Sequence, residues 1–409
     1  MVSLLLALLA RPHVGSAEPQ PQIQVLTFEP GADLFSAFGH IALVATLPNG
    51  ATKVYNFGNY DFVSPGSVWR YAKGDLEYWV SVATLSSTLK RYRHFDRGAV
   101  LRELALSESQ AERLIDNLER TTRPENRNYR YNHATNNCCT RVRDVINDAT
   151  GGILFDRFSA RSARRTYRGW LRTLLADRPY WLTFIDVSLG PSVDRPLTRY
   201  EEQFLPLVLS ADLDETILAD GKSLVVRKEQ LLPQQARPSA NSSLCWTGLG
   251  VSIGFLLLCV GLAVSSSRWS GRVLGAVLAL FGLTLGIVGA WLAFLALGTH
   301  ADARGNANLL LFPVTHLWLV VPGIALLVRG CLGPRLGPWT KWYLLVSVLA
   351  ACVALGLDLA GYQDSLCWAA VVLGPDIGVA VAVSIHGRKN RPRQQNDEDR
   401  KGGTAIALG

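Results

Sequence analysis

The chain has 409 residues, 49% of them hydrophobic, with a formal net charge of +8 and a mean hydropathy of +0.17. That hydropathy excludes a wholly soluble protein, because residues up to about 235 read as mixed and globular while 244–386 are dominated by uncharged runs. The positive charge lies beside those runs, in the tail and in Arg161, Arg164, Arg165, Arg168 and Arg172. We read it as membrane orientation and lipid-surface attraction, and no nucleic-acid module accompanies it.

Ser3 to Ala10 is a short apolar run followed by Gly15-Ser16-Ala17. It reads as a secretory signal, residues 1–17, and is too short to span a bilayer. Gln22 to Phe28 reads as a strand and Asp33 to Phe38 as a short helical or irregular approach. Two further strands, His40 to Thr46 and Val54 to Gly58, flank the hairpin signal Leu47-Pro48-Asn49-Gly50. Leu76 to Ala83 and Val100 to Leu106 are strand candidates. Ser107 caps a helix over Gln110 to Arg120, with Ala111, Leu114, Ile115 and Leu118 on one face.

After a loop rich in aromatic and polar residues (Tyr129, Tyr131, Asn132, His133, Asn136), Val142, Val145 and Ile146 recur at helical spacing until Gly151 and Gly152. This helix is expected to pack on an antiparallel sheet, which makes 18–235 an α+β domain. From Phe155 to about Leu232 the pattern turns helical. Ser162 to Leu175 is basic and amphipathic, either a solvated face or a contact for lipid headgroups. Residues 236–245 read as a linker.

Five apolar runs follow, at about 246–265, 275–297, 308–328, 342–360 and 366–385, each long enough for ~30 Å of hydrocarbon. Together, 246–386 read as a five-helix transmembrane domain and 387–409 as a basic cytoplasmic tail. Basic residues fill alternate loops, and the other two loops hold only Arg304. The positive-inside rule therefore places the N-terminal domain outside, as the signal also requires. Asp376, near the middle of run five, is expected to face the bundle interior, with packing as its role and His316 and Asp358 read alike. Of seven cysteines, none forms a CxxC pair, and no disulfide framework is expected.

Cys138 sits at the start of the helix after Asn137, where the helix dipole and the nearby Arg141 and Arg143 favour thiolate. A buried packing pair or a vicinal disulfide of Cys138 and Cys139 is the alternative. His40, at the start of a strand after Gly39, is a candidate base. A strand-borne histidine in the core is its bland counterpart. The histidines lack HExxH or clustered spacing, so no metal and no cofactor is implied.

Phe38-Gly39-His40, Tyr55-Asn56-Phe57-Gly58 and Asn137-Cys138-x-Thr140-Arg141 resemble, in that order, the signature of the Lnb N-terminal periplasmic domain family. Leu189-Gly190 through Asp194-Arg195-Pro196 to Phe204-Leu205-Pro206 is similar to the family's later segment. Gly298-Thr299-His300 with Asn306-x-Asn308-Leu309-Leu310 is similar to its exterior membrane loop. The resemblance implies an α+β permuted papain-like domain (NlpC/P60-type, akin to lecithin:retinol acyltransferase) fused to the five transmembrane helices.

It further implies a lipoprotein N-acyltransferase of the bacterial inner membrane, with its catalytic domain in the periplasm. The acyl chain would pass from a membrane phospholipid, through a cysteine thioester, to a diacylated lipoprotein. Carried over to this sequence, Cys138 is the nucleophile, His40 the base and Asn56 the residue orienting it. Arg141, Tyr55, Asn137, His300, Asn306 and Asn308 are the implied substrate contacts. Cys139 departs from the small hydroxyl residue usual in the family, which leaves a redox-sensitive pair open.

Overall fold

The computed structural model describes residues 20–61, 63–234, 244–265 and 267–389. The expected signal, nearly all of the linker and the tail beyond 389 lie outside the described residues. The chain runs β1 (Gln22–Phe28), β2 (His40–Thr46), β3 (Thr52–Asn59), α1 (Ser67–Lys73), β4 (Glu77–Ala83), α2 (Leu85–His94), β5 (Ala99–Leu104), α3 (Glu108–Thr121) and β6 (Asn128–Arg130). It continues as α4 (Cys138–Ala149), α5 (Ile153–Phe158), α6 (Tyr167–Leu174), α7 (Pro179–Ser188), α8 (Arg199–Glu202), α9 (Pro206–Glu215) and β7 (Val225–Leu232). The apolar part forms α10 (Leu244–Val264), α11 (Arg268–Leu297), α12 (Asn308–Leu311), α13 (Val320–Arg329), α14 (Leu336–Leu359) and α15 (Leu366–Lys389).

The strands form one sheet in the order β6-β4-β3-β2-β1-β5-β7, and every pairing in it is antiparallel. β2 is apolar throughout because both of its faces are covered. Side chains alternate across a strand. Ile41, Leu43 and Ala45 therefore join a core with Val142 and Ile146 of α4 and Leu114 and Leu118 of α3. Ala42 and Val44 join Leu26 and Phe28 on the other face, against Leu85, Leu89 and Tyr92 of α2. Ser107 caps α3 in a capping box with Gln110.

The basic run Lys90–His94 belongs to α2, whose apolar residues cover the sheet. One expectation for this region changes. The stretch expected to be helical up to Leu232 ends in the edge strand β7, paired with β5. Its row of charged residues, Arg227, Lys228 and Glu229, is what an exposed sheet edge tolerates.

Contacts group the described residues into two units. One holds residues up to 61, 76–163 and 198–234, while the other holds 63–75, 164–197 and everything from 244. The single boundary expected at 235 is thus replaced by interleaved segments. In the second unit, five stretches are long and apolar enough to cross a membrane. The third is broken: α12 ends before Pro313, a 3-10 turn spans Val314–Leu319, and α13 resumes. Pro375 lies inside α15.

In the Arg-rich segment Arg161, Arg164 and Arg165 are exposed, as a solvated face would have them, whereas Arg168 and Arg172 are not. Arg168 is 1% exposed and donates to Asp194 at 2.6 Å, to Asp186 at 3.3 Å and to the carbonyls of Leu189 and Gly190. Asp186 also accepts from Arg172 at 2.9 Å and from the Trp368 indole at 2.8 Å. Cys367 is disulfide-bonded, against the expectation of no disulfide. Cysteine spacing carries no CxxC signal for it, and a disulfide at that end of α15 suits an oxidising compartment.

Candidate functional site

Asn137 places the sulfur. Its side-chain oxygen accepts from the backbone N–H groups of Cys139 (2.8 Å) and Thr140 (3.0 Å), and Thr140 Oγ1 accepts from the Asn137 N–H. This reciprocal cap fixes where α4 begins. The Asn137 amide donates to the carbonyls of His133 and Phe204, so the side chain is fully engaged and 5% exposed. It holds the helix start rather than a substrate, as was expected of it.

Cys138 opens α4 at 9% exposure, and both it and Cys139 are free thiols. A vicinal disulfide is therefore not present. The Cys138 thiol is driven well below the ordinary cysteine range. The Cys139 S–H donates to it, and His40 acts on it by charge and hydrogen bonding, as does the Ile41 backbone N–H. Burial and the neighbouring Cys138 push the Cys139 thiol up. The pair divides into one thiolate and one thiol donor.

This division yields a test. Because its pKa is depressed, Cys138 stays thiolate, and so reactive, as the pH falls below the free-thiol range. Removing the S–H donor with Cys139→Ala is expected to move the iodoacetamide alkylation profile of Cys138 to higher pH, by about one unit. Cys139→Ser, which keeps a hydroxyl donor, is expected to move it less.

His40 is the first residue of β2. Gly39 before it has φ +84°, and a Cβ there would lie 3.0 Å from the Phe28 carbonyl, so glycine is required. The imidazole stacks against Phe28 and Tyr92, with centroids 6.1 and 6.0 Å away. Asn56 makes no side-chain hydrogen bond to His40 among the described residues. The aromatic pair replaces the orienting amide that was expected.

Three tyrosines missed as site residues surround the sulfur. The Tyr92 phenol is raised to about 12, chiefly by burial, with the Cys138 charge adding to it. Tyr129 and Tyr131 are raised further for the same two reasons. The Tyr129 hydroxyl is buried, with the Gly58 backbone acting on it. Gly58, at φ +91° in the irregular stretch of β3 between Asn56 and Asn59, sets its backbone beside Cys138 and Tyr131. For Tyr129 and Tyr131 the only sequence signal was the aromatic density of the loop before Asn137.

Arg141 lies over the Tyr129 ring at 4.5 Å and donates to Asn136 at 2.7 Å. It makes no ion pair among the described residues, whereas Arg143 pairs with Asp144 at 2.7 Å and covers Tyr200. Tyr55 is a core residue, not a substrate contact. It is fully buried beside α4, and its hydroxyl donates to Glu119, which Lys53 and Tyr55 hold below the usual carboxylate range.

The remaining expected contacts lie in the second unit and are committed to backbone. Asn306 and Asn308 are buried and both donate to the Val187 carbonyl at 2.9 Å. His300 Nε2 donates to the Tyr71 and Ala72 carbonyls, each at 3.1 Å. All three brace the second unit from within. No group of metal-ligating side chains large enough to hold an ion occurs among the described residues.

Residues 17–173 match the family model described as the Lnb N-terminal periplasmic domain. No curated protein and no solved structure matches the chain.

Proposed function

We propose that this multi-pass membrane protein, whose residues 17–173 match the Lnb N-terminal periplasmic domain model, is a lipoprotein N-acyltransferase of the bacterial inner membrane. The antiparallel sheet with a cysteine-bearing helix on one face, and histidine before cysteine in the chain, is read as a permuted papain-like arrangement. The observation that carries the reading is the free Cys138 thiol at the N-terminus of α4, with His40, the Cys139 thiol and the Ile41 N–H acting to lower its pKa.

In the first half-reaction the sulfur attacks an ester carbonyl of a phospholipid. The C–O bond breaks, His40 returns the proton to the leaving alkoxide, and lysophospholipid departs. In the second, the α-amine of a diacylglyceryl-cysteine lipoprotein attacks the thioester. The C–S bond breaks, and His40 takes the amine proton. In this reading the buried Tyr129 hydroxyl donates to the developing oxyanion, and Arg141 meets the lipid phosphate.

The test is mass spectrometry of the intact protein with phospholipid, then with a diacylated lipopeptide. An acyl adduct on Cys138 that hydroxylamine removes, and that is chased into triacylated peptide, supports the proposal. Release of free fatty acid without triacylated product makes the protein a hydrolase using the same pair.

A further inference from the structure

The spans leave a groove at their cytoplasmic end, wholly within the second unit. With the N-terminal domain outside, alternation of the five spans puts the start of α14 and the end of α15 on the cytoplasmic side. α14 opens on Leu336-Gly337-Pro338, and α15 sets Ala380 and Ser384 one turn apart on one face. These side chains are too small to fill the space between the two helices. A groove of about 830 Å³ remains, lined by Gly337, Pro338, Ala380 and Ser384 among others.

The groove changes character along its length. Lys341, the sixth residue of α14, lines it about 7.5 Å inside the helix start. Its ammonium reaches the Ser384 carbonyl at 3.5 Å. An ammonium has three donors, so a phosphate oxygen can share it with that carbonyl. Arg335, which caps α14, and Arg329, which ends α13, are exposed at the same end. No Asp or Glu occurs in 329–357 or in 377–393. Trp342 follows Lys341 in the groove wall and is 65% exposed, the setting of an indole at headgroup level.

Deeper in, the walls are hydrocarbon. Leu345 and Val348 follow Lys341 by four and seven residues, hence on its face of α14. Val381 and Ile377 precede Ser384 by three and seven on α15 in the same way. From Lys341 to Val348 is about 10 Å along the helix axis. A cation at headgroup level above apolar walls fits an amphiphile with an anionic head. A free anion would leave the apolar length uncovered, and a zwitterionic headgroup would bring its own ammonium towards Lys341 and Arg335. A phosphodiester with an acyl chain satisfies both ends.

We propose that the groove between α14 and α15 binds an anionic phospholipid of the cytoplasmic leaflet. Its phosphate lies against Lys341 and Arg335, and one acyl chain runs along Leu345, Val348, Val381 and Ile377. This lipid occupies the leaflet opposite the proposed acyl donor, so it is a resident of the bundle and not a substrate of Cys138.

The test titrates the full chain in detergent with phosphatidylglycerol or phosphatidylcholine of the same acyl chains, counting bound lipid by native mass spectrometry. One phosphatidylglycerol is expected to bind at least about fivefold more tightly than phosphatidylcholine, and Lys341→Gln to lose about fivefold of that affinity. Ala380→Leu, which fills the groove, should weaken both lipids. Arg272→Gln removes an exposed cation at the start of α11, on the same side of the membrane but outside the groove, and should change neither. In the unmodified protein, phosphatidylglycerol with a diazirine in its acyl chain should crosslink to 345–348 and 377–381, a readout that needs no variant to fold. Equal affinity for the two lipids, no loss in Lys341→Gln, an equal loss in Arg272→Gln, or displacement by inorganic phosphate overturns the proposal. So does binding that appears only after 390–409 are removed, since the chain's own tail would then be the occupant. None of these readouts involves Cys138, so the acyl-transfer assay reads the cysteine site separately.

Discussion

His40→Ala is expected to slow acyl transfer by about 10²–10⁴-fold, with the loss shared by both half-reactions. The imidazole has two duties that this change removes together. It favours the Cys138 thiolate through charge and hydrogen bonding, and in the proposed mechanism it shuttles the proton between sulfur, leaving alkoxide and incoming amine. With the first duty gone, the thiol is still supported by the Cys139 S–H and the Ile41 N–H. Alkylation of Cys138 should therefore persist, with its pH profile moved upward. Acyl-enzyme formation measured at a pH above that shifted midpoint separates the duties. A residual deficit there belongs to proton transfer. Recovery to the full rate there would show that His40 acts only by lowering the thiol pKa.

Arg168→Ala is expected to destabilise the protein by about 3–5 kcal/mol, the cost of leaving buried carboxylates without their partner. Arg168 and Asp186 are both almost wholly buried, and Asp194 nearly so. Arg172 remains for Asp186, but it is already shared with Asp364. No second cation pairs with Asp194 among the described residues. Arg168→Lys should recover little of the loss, since an ammonium cannot address two carboxylates and two carbonyls with a planar fork. Thermal melting in detergent checks this. A Tm unchanged in both variants would mean that these ion pairs contribute nothing net.

How much was legible depended on whether the pattern was local. The β1 and β2 strands, α3 with its Ser107 cap and the five apolar runs follow from periodicity and end signals within a few residues. So does the start of α4 at Cys138, where an asparagine cap precedes a helical repeat. The direction of single side chains was not legible. Tyr55 and Asn56 stand side by side in one motif, yet a strand turns neighbours to opposite faces; one is core and neither touches His40. Tyr92 was hidden because Lys90, Arg91, Arg93 and His94 make its helix read as bare surface. Arg168 and Arg172 read as a cationic stripe because their acidic partners lie between 14 and 192 residues away, and nothing local announces a pair at that distance.

The interleaving of the two units limits how the protein can be handled. Cutting the chain near residue 235 to obtain a water-soluble enzyme would sever 63–75 and 164–197 from the helices with which they are grouped. Such a fragment would retain Asp186 without the Trp368 indole, and Arg172 without Asp364. It would carry those orphaned strands of sequence into water as sites for aggregation and proteolytic nicking. Crystallisation or assay of this enzyme therefore calls for the intact polypeptide in a detergent or lipid mimetic.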